Sequence, residues 1–183
     1  GGVDSTQWDD ANVGNFSTAM GQQTIASGIN ATAMGFQTIA LQDHSMAMSY
    51  RTTASGWAST AMGTLTTASG AASVSMGQRT VASGNHAAAL GTQNIAPSYG
   101  ELVVGNYATN YTATDAALVN PADRVFSVGN GTADTNRSNA MTIFKNGNFI
   151  AGSDNLNDII GTDDDNRLFF NKSKAAFRAG QVA

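Results

Sequence analysis

Apolar and small side chains recur along residues 17–100 with a period of fourteen, and Ser, Thr, Asn and Gln fill most positions between them. The first period holds two Ala-x-Gly motifs seven residues apart, Ala19-Met20-Gly21 and Ala26-Ser27-Gly28, and the later periods keep at least one of them. A fixed period sustained over many copies is typical of a repeat architecture. The six copies begin at Ser17, Ala31, Ser45, Ser59, Ser73 and Ala87.

The repeat predicts strands and not helices. Every copy contains one or two glycines, and each would cost a helix about 1 kcal/mol relative to alanine. We therefore predict a strand of about five residues followed by a tight turn, twice per coil. A glycine ends each strand, because a sharp turn often needs a positive φ. Successive coils are expected to stack at the strand spacing of about 4.8 Å, which places equivalent residues above one another.

Strand alternation sorts the columns into an inner and an outer set, because successive side chains point to opposite faces. We predict that the alanine columns fill the inside of a thin roll, where only small side chains fit. The alternative, with methionine inside and alanine outside, changes the interface and not the fold. The predicted interior residues are Ala19, Ala26, Ala33, Ala40, Ala47, Ala54, Ala61, Ala68, Ala82, Ala89 and Ala96.

One large apolar column then points away from that interior. Burying six such side chains is worth about 9–18 kcal/mol, at about 1.5–3 kcal/mol each. That equals the net stability of a whole domain, so we expect the column to meet its symmetry mates across the axis of a homotrimer. The predicted axial residues are Met20, Met34, Met48, Met62, Met76 and Leu90.

Charge is sparse, and this narrows the classes of partner. The formal net charge is −4, and within residues 17–100 only Asp43, Arg51 and Arg79 are charged. A nucleic-acid partner needs a basic face, so none is expected. The chain has no cysteine, and we expect no cofactor and no metal. It begins at Gly1-Gly2 without Met or a signal peptide, which suggests a processed product or a piece of a longer protein.

Few residues offer specific chemistry. Five acidic residues near position 160 could hold calcium, but their spacing matches no EF-hand and the repeats lack the Asp-bearing nonapeptide of calcium-binding β-rolls, so a solvated turn is expected. His44 and His86 lie three coils apart, too far to share a metal, and no serine has a catalytic partnership. The threonine column from Thr24 to Thr80 suits a packing or hydrogen-bonding ladder better than an ice-binding array. The acidic residues are Asp154, Asp158, Asp163, Asp164 and Asp165.

Three aromatic residues are candidates for contact with sugar rings. Phe36 and Tyr50 occupy one column, a coil apart, and Trp57 is predicted in another turn. Turn aromatics stack on sugars with a large contact area at low entropy cost. The alternative is that the three rings pack against a neighbouring chain.

The columns of "TAMGQQTIASG", residues 18–28, resemble the head repeat of trimeric autotransporter adhesins of the YadA type. That repeat has the form "xVAIGxxSxAxGxxS" at the same period, and its Ile falls on the methionine column. The resemblance implies a left-handed parallel β-roll, three chains around one axis and an extracellular adhesive role. Copy three departs from the pattern, with Ser49 in place of a turn glycine.

The second half of the chain resembles modules of bacterial and phage fibre proteins, in "ELVVGNYAT", "DRVFSVGNGT", "NAMTIFKNGNFIAG" and "NRLFFNKSKAAFRAG". Asn146-Gly147 is a hairpin signal. We predict an all-β chain: a trimeric left-handed parallel β-roll of 14-residue coils, then a β-rich stalk and connector. The expected divisions are an N-terminal connector (1–16), the head (17–100), a stalk module (101–152) and a connector to the next module (153–183).

These observations favour a non-catalytic segment of an extracellular trimeric fibre or adhesin on a bacterial cell surface. Its expected partners are sister chains, neighbouring modules of the fibre and a cell-surface glycan or protein receptor. The first alternative is a phage or contractile-injection tail-fibre segment with a structural and receptor-binding role. The second is a purely structural unit of a surface filament. An enzyme on a β-solenoid is a further class, which the scarcity of charge disfavours.

Overall fold

The repeat folds as a parallel β-solenoid, as predicted. A computed structural model describes residues 12–152 and 166–181, and within these ranges the chain forms strands and no α-helix. Each coil contributes one five-residue strand to one sheet and one two-residue strand to a second sheet. The prediction of two five-residue strands per coil is therefore wrong for the second strand.

The long strands of the six repeats are β1 (Thr18–Gln22), β3 (Thr32–Phe36), β5 (Met46–Tyr50), β7 (Thr60–Thr64), β9 (Val74–Gln78) and β11 (Ala88–Thr92). The short strands are β2 (Ile25–Ala26), β4 (Ile39–Ala40), β6 (Thr53–Ala54), β8 (Thr67–Ala68), β10 (Val81–Ala82) and β12 (Ile95–Ala96).

Register in both sheets follows the period of the sequence. Each residue pairs in parallel with the residue fourteen positions later, as Met20 does with Met34 and Ile25 with Ile39. Because the offset equals one coil, each column of the sequence becomes a straight row of identical or similar side chains along the stack.

Small side chains fill the space between the two sheets. Ten of the eleven predicted interior alanines have no solvent exposure, and Ala19 packs against them from the first coil. Ser45, Ser59 and Ser73 lie in a second buried column. Apart from the Asn94 amide in the last coil, the interior between Ala26 and Ala96 is thus filled by small methyl- and hydroxyl-bearing side chains. The fully buried alanines are Ala26, Ala33, Ala40, Ala47, Ala54, Ala61, Ala68, Ala82, Ala89 and Ala96.

The threonine column also faces inward, and it acts by packing. Thr38, Thr52 and Thr66 have no solvent exposure, and among the described residues their hydroxyls have no hydrogen-bond partner. The column is therefore a stack of methyl-bearing side chains rather than a hydrogen-bonded ladder, and it is not a surface array.

Left-handed backbone recurs every seven residues, and the residues that adopt it are mostly not glycine. Gln37, His44, Arg51 and Ala58 have φ between 52° and 61°. The first glycine of a coil has the positive φ that was predicted, as at Gly21 (128°), whereas the second, such as Gly28, does not. Leu65 has the same conformation, with a φ of 57°, so the geometry of the coil and not the residue type imposes it, at a cost in backbone strain.

Glycine is required where two coils approach each other. Gly35 has a φ of 126°, and a Cβ placed on it would lie 2.0 Å from the carbonyl oxygen of Ser49. Ser49 replaces glycine in the third coil and keeps a positive φ of 96°. The turn survives this departure, at the cost of backbone strain in a non-glycine residue.

The long-strand sheet runs on past residue 100. β13 adds to it in parallel, residues 107–123 make an excursion, and β14 then pairs in parallel with β13. The remaining strands are antiparallel and complete a twelve-stranded sheet. The strands are β13 (Leu102–Asn106), β14 (Arg124–Asn130), β15 (Asn139–Phe144), β16 (Phe149–Ala151), β17 (Asn166–Asn171) and β18 (Ala176–Gln181), with a 3-10 turn at Lys172–Lys174.

Larger side chains enter the fold only in this last part. Ile150 in β16 is fully buried, and β15 and β16 form the hairpin that Asn146-Gly147 predicts, with Gly147 at a φ of 87°. The predicted acidic turn of Asp154, Asp158 and Asp163–Asp165 lies outside the described residues.

Candidate functional site

The outer face of the long-strand sheet carries a continuous apolar row. The methionine column occupies the central position of each long strand and points away from the alanine interior. Met20 is 56% exposed and Met76 39%, and the other members are half-buried by their neighbours in the row. The row contains Met20, Met34, Met48, Met62, Met76 and Leu90.

The apolar row continues beyond the repeats. Val104 of β13 pairs with Val128 of β14, and Val128 pairs with Met141 of β15. Phe126 pairs with Ile143 beside them. These side chains are half-buried, so one outward apolar face extends from the first coil of the roll to the first hairpin.

Phe36 and Tyr50 form a stacked pair at the C-terminal ends of β3 and β5. Their ring centroids lie 5.4 Å apart with an interplanar angle of 12°. The Arg51 guanidinium lies 5.3 Å from the centroid of the Tyr50 ring. This edge of the roll thus holds two aromatic rings and a cation.

Trp57 lies on the other edge. It comes seven residues after Tyr50, which is half a coil, in the turn between β6 and β7. Its ring contacts the imidazole of His44 edge-on, with centroids 6.0 Å apart. The predicted sugar patch of Phe36, Tyr50 and Trp57 is therefore not a single patch within one chain, because the width of the long strand separates its two parts.

Polar side chains link successive coils along both edges. On the Tyr50 edge, Gln37 Nε2 donates to Gln23 Oε1 and Arg51 Nε donates to Gln37 Oε1, each at 2.6 Å. On the Trp57 edge, Asp43 Oδ1 accepts the backbone N–H of Ile29 at 2.8 Å. These contacts order the side chains of both edges at the second and third coils.

A buried polar cluster, which no pattern in the sequence predicted, closes the last coil of the roll. Glu101 is 1% exposed, and its Oε2 accepts the backbone N–H of Ser98 at 3.1 Å and the Tyr111 hydroxyl at 3.0 Å. The Arg124 guanidinium lies over the Tyr111 ring at 4.3 Å, and Lys145 Nζ donates to Ser98 Oγ at 2.8 Å. The cluster anchors the excursion 107–123 and the hairpin to the end of the roll.

Burial sets the protonation behaviour of this cluster. Desolvation raises the pKa of the Glu101 carboxyl above 4.5, although hydrogen bonds from Ser98 and Tyr111 and the charge of Arg124 act in the opposite direction. Desolvation and the nearby Glu101 carboxylate raise the pKa of the Tyr111 hydroxyl, and desolvation lowers the pKa of the Lys145 ammonium.

Asp123 shows the opposite balance. Burial by itself raises the pKa of its carboxyl, but the backbone N–H groups of Thr114 and Asp115 outweigh that effect and hold the pKa below 3.8. Those two hydrogen bonds measure 2.7 and 3.0 Å. Asp123 thus holds the excursion in place as an ionised side chain.

Asn94 also has a structural role that the sequence did not predict. It ends the threonine column with a fully buried amide. Its Nδ2 donates to the carbonyls of Leu90 and Gly105 at 2.7 Å each, and its Oδ1 accepts the N–H of Ala108 at 3.0 Å. The replacement of threonine by asparagine in the last copy was the available signal for this terminal role.

Metal and membrane features are limited in the part of the chain that the structure describes. Residues 12–152 and 166–181 contain no group of three or more His, Asp or Glu side chains placed to hold a metal ion. In the same residues no helix is long and apolar enough to cross a membrane.

Comparison with known families agrees with the geometry of the roll. The family model of the YadA head domain repeat, which describes two copies of the repeat, matches residues 13–38, 26–48, 54–80 and 68–94. Comparison of the chain with curated proteins and with solved structures gave no match. The predicted resemblance of the repeats is thereby confirmed for residues 13–94.

Proposed function

With YadA head domain repeats in residues 13–94 as the premise, we propose that the chain is a non-catalytic segment of a trimeric fibre or adhesin. Three copies assemble side by side with the methionine row of each turned to a common axis. The segment lies outside the cell, on a bacterial surface, and it mediates attachment.

The apolar outer face of the long-strand sheet is the observation that carries this proposal. A single chain leaves Met20 and Met76 substantially exposed on an apolar face that is continuous from β1 to β15. Soluble proteins rarely expose a contiguous apolar face of this kind unless it is an interaction site. Its interior of small side chains gives one roll little core of its own, so association supplies the missing burial.

Three-fold closure suits the shape of this face. Each long strand has three outward positions, with the large apolar residue at the centre and Thr, Gln, Val or Ala on both sides in four of the six coils. Three such strands arranged as a triangle bring their central residues together and leave the short-strand sheets outside. Closed cyclic symmetry also prevents open-ended growth across the fibre.

Attachment then arises from multivalency. Each weak contact site is present three times, and the linked copies raise the effective concentration for a surface that carries many receptors. The proposed receptor is a cell-surface glycan or protein. Trp57, which is 55% exposed, is the proposed sugar-stacking side chain, since an indole ring offers a large contact area at low entropy cost.

A tail fibre of a phage or contractile injection particle is the second candidate. The strands from β13 to β18 extend the long-strand sheet into a hairpin-rich region, and residues 101–183 resemble fibre modules. If the full gene also encodes a membrane-anchoring region, the adhesin is supported. If it encodes a chaperone domain or a baseplate-binding region, the tail fibre is supported. A filament unit without a receptor is the third candidate, and it predicts no binding to cells or glycans.

The test is a charge placed on the proposed axis. Met62→Asp brings three carboxylates to one level of a dry axis, where an unpaired charge is strongly unfavourable. We expect this variant to sediment as a monomer or to unfold. Thr67→Asp, on the short-strand face of the same coil, is the matched control and should remain trimeric.

Equal assembly of the two variants would contradict the proposal. Loss of assembly in both would place the subunit contact on the short-strand face as well, which the proposed arrangement does not allow.

A further inference from the structure

We propose that the two edges of the roll meet between protomers at the third coil. Tyr50 packs on Met46 of the partner subunit, and Arg51 pairs with Asp43 of the partner subunit. This inference rests on the trimer of the proposed function and adds the residues that fix the angular and axial register of the three chains.

Cyclic symmetry decides which edges face each other. In a ring of three identical rolls, all long strands of one level run in the same sense around the axis. The C-terminal end of each strand therefore lies beside the N-terminal end of the same strand in the next copy. For β5, the residues around Tyr50 face the residues around Met46 of the partner subunit.

The outward positions at the strand ends are enlarged together in this strand. At the first position, Met46 is the only methionine among the six coils, and it is 37% exposed. At the last position of the same strand, Tyr50 is 40% exposed. The other first positions are Thr18, Thr32, Thr60, Val74 and Ala88, and the other last positions are Gln22, Phe36, Thr64, Gln78 and Thr92.

Within one chain Tyr50 stacks on Phe36, but nothing there joins it to Met46. Met46 and Tyr50 are four residues apart in an extended strand, about 13 Å at 3.3 Å per residue, so their side chains do not meet. Across the corner of a trimer they are neighbours. A flexible thioether against an aromatic ring is a favourable contact that tolerates irregular geometry.

The level of β5 also carries one acidic and one basic side chain, on opposite edges of the roll. Asp43 precedes β5 and is the only acidic residue in the six coils, and Arg51 follows β5 as one of two basic residues. Both side chains are held in place, Asp43 by the N–H of Ile29 and Arg51 by Gln37. They lie on opposite edges of one chain and on the same corner of the trimer.

Arg79 provides an internal comparison. It occupies the same left-handed column as Arg51 two coils later, with a φ of 53°. The residue that corresponds to Asp43 on the opposite edge at that level is Ala71. The proposed ion pair is therefore specific to the third coil.

Cysteine cross-linking tests the contact, since the chain contains no native cysteine. In Met46→Cys/Tyr50→Cys, each chain carries both halves of the contact, and a short bismaleimide should convert the protein to a covalent trimer on a denaturing gel. Met46→Cys/Gln78→Cys is the control. Its thiols lie on the same two edges but two coils apart, about 10 Å along the axis, so no covalent trimer is expected.

A double-mutant cycle on the charged pair gives a second readout with conservative changes. Asp43→Asn keeps an oxygen that accepts the Ile29 N–H. Arg51→Gln is conservative because Gln37, one coil earlier, already occupies the same left-handed position. Each single change should lower the melting temperature of the trimer. The decrease in the double variant should be no greater than the decrease caused by one single change. Arg79→Gln should leave it unchanged.

Three outcomes separate this inference from the proposal on which it rests. A covalent trimer from the first cysteine pair alone, with non-additive charge changes, supports the contact. A protein that is trimeric by light scattering, yet forms no covalent trimer and has additive charge changes, overturns the inference and leaves the trimer. A monomeric protein overturns the proposed function and the inference with it.

Discussion

The six coils of the roll and the region after Glu101 solve the same packing problem in opposite ways. The roll repeats one solution, with alanine methyls in the interior, parallel strands and three formal charges in residues 17–100. The later region uses each solution once, with antiparallel hairpins, a buried Ile150 and a polar cluster around Glu101. A repeated coil contacts mainly its two neighbours, so its stability is close to a sum of equal local terms. The terminal region instead depends on a few long-range contacts.

Removing volume should be most costly in the terminal region. Ile150→Ala deletes a fully buried side chain between β15 and β17 and is expected to cost about 2–5 kcal/mol of unfolding free energy. Denaturant unfolding, followed by a probe in the second half of the chain, measures this loss. Ile150→Val is the control and should cost about 0.5–1.5 kcal/mol. Equal losses for the two variants would mean that the site collapses around the missing atoms.

Adding volume should be the costly change in the roll. Ala54→Leu inserts three carbons between two sheets whose facing columns have no exposure, and overpacking typically costs about 1–3 kcal/mol. Thr53→Leu, at the neighbouring outward position of the same short strand, is the control. The two variants are compared by thermal unfolding, and the interior variant should melt at the lower temperature. A roll that accepts leucine at position 54 without loss would not have the tight interior described above.

The smallest expected effect is a pH dependence that comes from Glu101. Its pKa in the folded chain lies above 4.5, so the folded state binds more protons than the unfolded state between 4.5 and the raised value. The contribution of Glu101 to stability is therefore complete below about pH 4.5 and decreases as the pH rises through the folded pKa.

Glu101→Gln removes this titration and keeps an acceptor for Ser98 and Tyr111. The melting temperature of the parent chain, measured relative to this variant, should fall as the pH rises from 4.5. Asp123 titrates below 3.8 in the folded chain and does not contribute in this window. A difference between the two proteins that is independent of pH would show that Glu101 is not desolvated.

The sequence predicted the features that repeat and, among those that occur once, the hairpin at Asn146-Gly147, but not the polar cluster. The period and the alternation of side chains were sufficient to predict the parallel register and the small interior residues, because each position of the repeat occurs six times. The position of Trp57 opposite Tyr50 was also accessible, since seven residues are half of a fourteen-residue coil. The length of the second strand could not be predicted, because in "TIASG" the same types of small and β-branched residue occur in the strand and in the turns beside it.

The polar cluster could not be predicted for a physical reason. Ser98 and Lys145 are 47 residues apart, and Glu101 and Tyr111 meet only after the excursion 107–123 folds back. No periodic signal links such residues. The positive φ of Gly35 was predictable, but the close approach of the next coil at that residue was not, because it is a contact between coils.

The central claim is that the methionine row of each roll is covered by two sister copies. Light scattering of the purified chain at low micromolar concentration measures this most directly, because it gives the mass of the assembly in solution. The account predicts three times the chain mass of 18.8 kDa. A stable, folded species with the mass of one chain would leave the row exposed to water and would contradict it.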